Sequence, residues 1–150
     1  MSSHTPRIAR VLVVEDDEHM RCLIATTLRQ RGCHVVEAAQ GVDLLGWMGS
    51  ALWNPPENEL DVIVSDVNLP DLTALEVMAS LRACSGAVPV ILVTASDEVG
   101  LSERAYQLGA TAVFRKPVDL SALGALVTSL RARHRVGRTF RIPQEPHGAV

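Results

Sequence analysis

A chain of 150 residues with 47% hydrophobic content can bury one sizeable core and leaves too little for a second comparable domain. Its apolar runs are short, as at Val11 to Val14 and Val90 to Val93, so nothing approaches the roughly 20 apolar residues of a membrane span. Met1 to Arg10 has no apolar signal core either, and the expected compartment is the cytoplasm. The net charge of -3 is unevenly shared: residues 131–150 hold five arginines (Arg131, Arg133, Arg135, Arg138 and Arg141) against Glu145, so the first 130 residues carry 9 basic and 16 acidic groups, a balance of -7. That acidic body argues against direct nucleic-acid binding. Cys22, Cys33 and Cys84 are odd in number, widely spaced and without a CxxC or Cys/His cluster, so they read as reduced core thiols.

In chain order, β-branched and aliphatic runs at Val11 to Val14, Val35 to Val36, Val62 to Val64, Val88 to Val93 and Val113 to Phe114 suit strands buried on both faces. Helical periodicity fills the gaps. It begins with Met20, Leu23, Ile24, Thr27 and Leu28, closed by Gly32, and ends with Leu120, Leu123, Leu126, Val127 and Leu130. Shorter patterns lie at Val42 to Met48, Leu75 to Leu81 and Glu98 to Leu108, and Ser50 to Asn58, with Pro55-Pro56, is a loop. Trp47 before that loop and Trp53 within it read as packing residues that anchor it. The alternation predicts an α/β fold, a doubly wound (βα)5 flavodoxin-like sandwich with a five-stranded parallel sheet. The domain is expected over residues 8–131, with 1–7 as an N-terminal extension. Residues 132–150 read as a basic, flexible tail broken by Pro143, Pro146 and Gly148.

Polar residues fall at the carboxyl ends of these strands: Glu15, Asp16 and Asp17 after the first, Asp66 at the third, Thr94 at the fourth and Lys116 at the fifth. That edge is where open α/β sheets bind ligands. With strand order 2-1-3-4-5, the first and third strands are neighbours and Glu15, Asp16 and Asp66 share one pocket. Clustered carboxylates repel unless a cation joins them. Mg²⁺ suits the set, because it takes one or two carboxylates, waters and phosphate oxygens rather than an all-protein cage. Lys116 is the single lysine among thirteen arginines and offers a point charge for phosphate or carboxylate. Thr94 offers a hydroxyl. Plainer readings exist for some neighbours: Asp17 and Glu18 serve as first-turn acids of a helix, and Asn68, Leu69 and Pro70 make a turn in any case.

The stretches VLVVEDDEHM, DVIVSDVNLP, VILVTAS and FRKPVD, each ending a strand, resemble the signature segments of response-regulator receiver domains, over roughly Ile8 to Arg131. The resemblance implies that Glu15 and Asp16 are the acidic metal pair, that Asp66 is the phosphoacceptor and that the Asn68 backbone carbonyl is a further Mg²⁺ ligand. Thr94 and Lys116 become the phosphate-sensing hydroxyl and ammonium, and Pro117 follows a cis peptide. The implied donor is a sensor histidine kinase or a phosphotransfer protein. A downstream protein effector would read the face formed by the fourth helix, fifth strand and fifth helix. Neither nucleic acid nor membrane is an expected direct partner, and a monomer or weak dimer is expected. No output domain is expected within the chain.

Two positions depart from the family pattern. Thr73-Ala74 replaces the usual Asp-Gly before the third helix. Thr73 can still cap that helix, whereas Ala74 resists positive φ, so a differently shaped loop is expected beside Asp66. Val113 stands where receivers commonly carry a switching aromatic ring, which puts that route of coupling in question. Three rival readings are open to the same residues. A haloacid-dehalogenase-like phosphatase needs a second acid two residues after its nucleophile, and that position is Asn68. A nucleotide binder needs a glycine-rich loop after the first strand, where Glu15 to Glu18 instead supplies four acidic residues. A degenerate receiver that signals without phosphorylation fits the two departures but not the intact acidic pair, Asp66, Thr94 and Lys116.

Overall fold

The computed structural model describes residues 8–50, 60–81 and 88–140, without the side chains of residues 50 and 131–140. Strands β1 (Arg10–Val14), β2 (His34–Ala38), β3 (Val62–Asp66), β4 (Val90–Thr94) and β5 (Ala112–Arg115) alternate with helices α1 (Glu18–Gln30), α2 (Gly41–Ser50), α3 (Ala74–Ser80), α4 (Leu101–Gln107) and α5 (Leu120–Phe140). All strand pairs are parallel, as the alternating pattern predicts, and the sheet order is the expected β2-β1-β3-β4-β5. Among the described residues, no helix is long and apolar enough to cross a membrane.

Alternation along the central strands divides the core into two layers. Leu12, Val14, Ile63 and Leu92 point to one face, where Leu44 of α2, Leu75 and Met78 of α3 and Leu101 of α4 cover them. Val11, Val13, Val64 and Val93 point to the other, against Ile24 and Leu28 of α1 and Leu123 and Val127 of α5. Every residue of β3 and β4 is buried, which is why these strands read as unbroken apolar runs. The edge strands β2 and β5 are only partly covered.

Several expectations change in detail. The buried stripe of α1 is Ile24, Ala25 and Leu28, so Leu23 stands exposed rather than facing the core. Cys22 is also exposed, a correction to the core-thiol reading, because it lies on the helix side away from Ile24 and Leu28; Cys33 is buried as expected. Cys84, Trp53, Pro55 and Pro56 fall outside the described residues, while Trp47 packs against the core beneath α2. Helix α5 continues to Phe140, so residues 132–140, expected as the start of a flexible tail, are helical.

Candidate functional site

Each strand of the central trio ends where its apolar run meets a polar side chain, and the parallel register brings these ends to one edge. Val14 pairs with Ser65, and Asp66 with Val93, so Glu15 and Asp66 emerge side by side and Thr94 follows one strand over. Carboxylate oxygens of Glu15, Asp16 and Asp66 lie within 4.8 Å of one another, with Glu15 and Asp66 buried and Asp16 exposed.

Lys116 enters from the end of β5. Its Nζ stands 3.1 Å from Glu15 Oε1 and 3.1 Å from Asp66 Oδ2, and it donates a hydrogen bond to the latter. Glu15 Oε1 is buried, with the Lys116 ammonium as its ion-pair partner. Burial drives the Glu15 carboxyl above its ordinary 4.5 and the Asp66 charge adds to the rise, while the Asp17 N–H and Lys116 oppose it. For Lys116, desolvation pulls the ammonium down, but the two carboxylates outweigh it and hold the group above its ordinary 10.5. A hard divalent ion bridging Glu15, Asp16 and Asp66 fits the donor set, which is all oxygen and partly open to solvent at Asp16.

The loops hold these groups in place through backbone bonds. Glu15 N donates to Ala38 O at 3.0 Å, and Asp17 N donates to Glu15 Oε2 at 3.1 Å. Asp17 caps α1 by accepting from Met20 N at 3.1 Å, with Glu18 in the first turn, the roles expected from helix electrostatics. Asn68 N donates to Asp66 Oδ1 at 3.1 Å, folding the chain back over the carboxylate. The Lys116–Pro117 peptide is cis. Thr94 is buried, and its Oγ1 is engaged by Ser96 N at 2.9 Å rather than by Asp66. Val113 is partly buried against the core face shared with Leu92 and Leu101.

Beside Asp66, the unusual Thr73-Ala74 pair forms an ordinary helix start. Thr73 Oγ1 accepts from Glu76 N at 3.0 Å, while Glu76 Oε1 accepts from Thr73 N at 2.9 Å, a reciprocal capping box. Among the described residues no non-glycine has positive φ, so Ala74 carries no strain of the kind expected. It is fully buried, and its N–H reaches Val67 O at 2.8 Å.

Two residues near the site escaped the sequence reading. Arg21 Nη1 donates to the Glu15 carbonyl oxygen at 2.9 Å. Asp71, five residues past Asp66, accepts from Gly41 N at 2.6 Å and Val42 N at 2.9 Å, capping α2 from another loop. Both links depend on tertiary placement that no local spacing discloses.

Comparison with known proteins agrees with this geometry. The family model of the response regulator receiver domain matches residues 11–128, and the chain belongs to that family. It is 35% identical over 124 residues to the transcriptional regulatory protein PrrA of Mycobacterium tuberculosis, covering 83% of this chain and 50% of that protein. It is 31% identical over 131 residues to a cyclic di-GMP phosphodiesterase of Thermotoga maritima, covering 87% of this chain and 33% of that one. The chain thus spans half or less of the length of these curated relatives. Among solved structures, the receiver domain of a Francisella response regulator matches with a TM-score of 0.73 at 26% identity, over 83% of this chain and 98% of that one. The receiver domain of a LuxO repressor protein from Vibrio parahaemolyticus matches with a TM-score of 0.78 at 21% identity over 91% of this chain and 99% of that one, a likeness of fold.

Proposed function

We propose that this receiver is a Mg²⁺-dependent phosphorylation switch in which Asp66 accepts a phosphoryl group from the phosphohistidine of a sensor histidine kinase or phosphotransfer protein. The observation that carries the reading is the meeting of Glu15, Asp16, Asp66 and Lys116 at one carboxyl edge of the sheet, on three separate strand ends. Glu15, Asp16, Asp66 and the Asn68 carbonyl would hold Mg²⁺. When bound, the ion supplies positive charge against the oxygens of the transferring phosphoryl group.

The chain's own groups do the rest. Asp66 is the nucleophile: one carboxylate oxygen bonds to phosphorus as the bond from phosphorus to the donor nitrogen breaks and the donor imidazole keeps the electron pair. Lys116, already at Asp66 Oδ2, follows the negative charge onto a phosphoryl oxygen and stabilises it there. Water later attacks phosphorus and restores the carboxylate, so the only chemistry is performed on the chain itself. Thr94 exchanges its Ser96 N–H partner for the phosphoryl group, and that movement favours one of two pre-existing conformations of α4, β5 and α5. A downstream protein effector reads the change. Relatives with longer chains carry names of transcriptional regulation and cyclic di-GMP hydrolysis, and such outputs would come to this receiver through a partner or an attached domain.

Incubation with acetyl phosphate, followed by intact-mass measurement with and without Mg²⁺, tests the reading. A phosphoryl adduct that forms only with the metal supports it, and an unmodified chain under both conditions overturns it.

A further inference from the structure

We infer that Arg21 is a positioning residue for the metal site, acting through the peptide that joins Glu15 to Asp16; the inference rests on the Mg²⁺ site proposed above. Arg21 lies on the first turns of α1 with its side chain 20% exposed. Its Nη1 donates to the Glu15 carbonyl oxygen at 2.9 Å, while its Nε donates to Glu37 Oε1 at 3.2 Å on the edge strand β2. Glu37 is in turn fixed by Arg29, whose Nη1 meets Oε2 at 3.0 Å and whose Nη2 donates to Val35 O at 3.1 Å. Two arginines eight residues apart on one helix therefore share one carboxylate, and the Arg21 fork is held in a single orientation.

The consequence falls on Asp16. The Glu15 N–H is tied to Ala38 O at 3.0 Å, and its carbonyl is tied to Arg21. The backbone entering Asp16 is thereby clamped on both sides of Glu15, although the Asp16 side chain itself is exposed. A ligand on an exposed loop binds a metal well only if its backbone is pre-set, since ordering it on binding costs conformational entropy. The guanidinium charge is paired with Glu37, and whatever part of it is felt at the acidic cluster works against a divalent cation. The two explanations consequently predict opposite signs. A charge effect makes Mg²⁺ binding tighter when Arg21 is removed; loss of positioning makes it weaker.

Mg²⁺ titrations of the full chain, followed by the amide NMR shifts of Asp17 and Asn68 well below the melting temperature, separate them. Arg21→Ala is expected to weaken Mg²⁺ binding roughly tenfold, the lower range for loss of a group that orients a metal ligand. Arg21→Lys keeps the charge but cannot span Glu15 and Glu37, and is expected to weaken binding as well; it also carries the test should Arg21→Ala fail to fold. Glu37→Gln, which loosens the fork from behind, is expected to give a smaller loss. Unchanged or tighter binding in both Arg21 variants, with a normal response in the parent, overturns the positioning role alone. A parent chain whose shifts ignore millimolar Mg²⁺ overturns the metal site and this inference with it.

Discussion

Lys116 Nζ and Asp66 Oδ2 are 3.1 Å apart, although the residues are separated by 50 positions in the chain. The same ammonium faces Glu15 Oε1 at an equal 3.1 Å, so one cation balances two carboxylates on neighbouring strands. Lys116→Met would leave both acids without it. The expected cost is about 1–2 kcal/mol in the absence of Mg²⁺, less than for a fully buried pair because Lys116 keeps contact with solvent. Denaturant unfolding measures this. Phosphoryl capture should survive better than transmission: on adding beryllofluoride, amide shifts in α4 and α5 should shrink in the variant, while those around Asp66 persist.

Mg²⁺ itself should stabilise the fold, since it relieves repulsion among acids that the unfolded chain keeps apart. At a concentration near a hundred times the dissociation constant, the gain is about 2.7 kcal/mol. Asp16→Ala is expected to remove most of it. Melting temperature with and without the metal provides the check, and a parent protein indifferent to Mg²⁺ contradicts the site.

Asp71 gives a stability effect with a definite pH sign. Desolvation tends to raise its carboxyl, but the N–H groups of Gly41, Val42 and Leu72 outweigh it and hold the group below its ordinary 3.8. A depressed folded-state value means that the ionised form favours folding. Its contribution is complete above the unfolded value and is lost as pH falls through the lower, folded one. Asp71→Asn should therefore be less stable than the parent near neutrality, with the gap closing on acidification below the ordinary carboxylate range. Urea midpoints across pH measure the gap, and a constant difference would contradict the assignment.

Gly41 should be intolerant of a side chain. A Cβ there would stand 2.7 Å from both Leu72 Cβ and the Leu72 carbonyl oxygen, and 3.0 Å from Asp71 Oδ1. Relief must come from backbone of the loop that follows Asp66. Gly41→Ala is expected to destabilise by about 1–3 kcal/mol, read as a lower denaturation midpoint, whereas Gly46→Ala, which meets nothing within 4 Å, should not destabilise.

The sheet was legible because β1, β3 and β4 are buried on both faces and so carry unbroken runs such as Val62 to Val64. The polar residues that end those runs marked the pocket edge for the same reason: a lone aspartate after three aliphatic residues has no packing role. Helix faces were less legible. Leu23 reads as part of an apolar stripe yet points outward, because the stripe that packs is set by where α1 meets the sheet and α5, and Ile24, Ala25 and Leu28 fill it. Arg21 and Asp71 were invisible for a different reason. Each bonds to backbone from another element, the Glu15 carbonyl and the start of α2, and such partners have no signature in side-chain type or spacing.

The central claim is that Asp66 is the residue that takes the phosphoryl group, and Asp66→Asn tests it most directly. The amide preserves the shape of the carboxylate but cannot act as the nucleophile, and Asn68 N–H can still bond to its oxygen as it does to Asp66 Oδ1 at 3.1 Å. Parent and variant are incubated with acetyl phosphate and Mg²⁺ and compared by intact mass. The account predicts one phosphoryl adduct on the parent and none on a folded Asp66→Asn chain. Equal labelling of the two would place the acceptor elsewhere and contradict it.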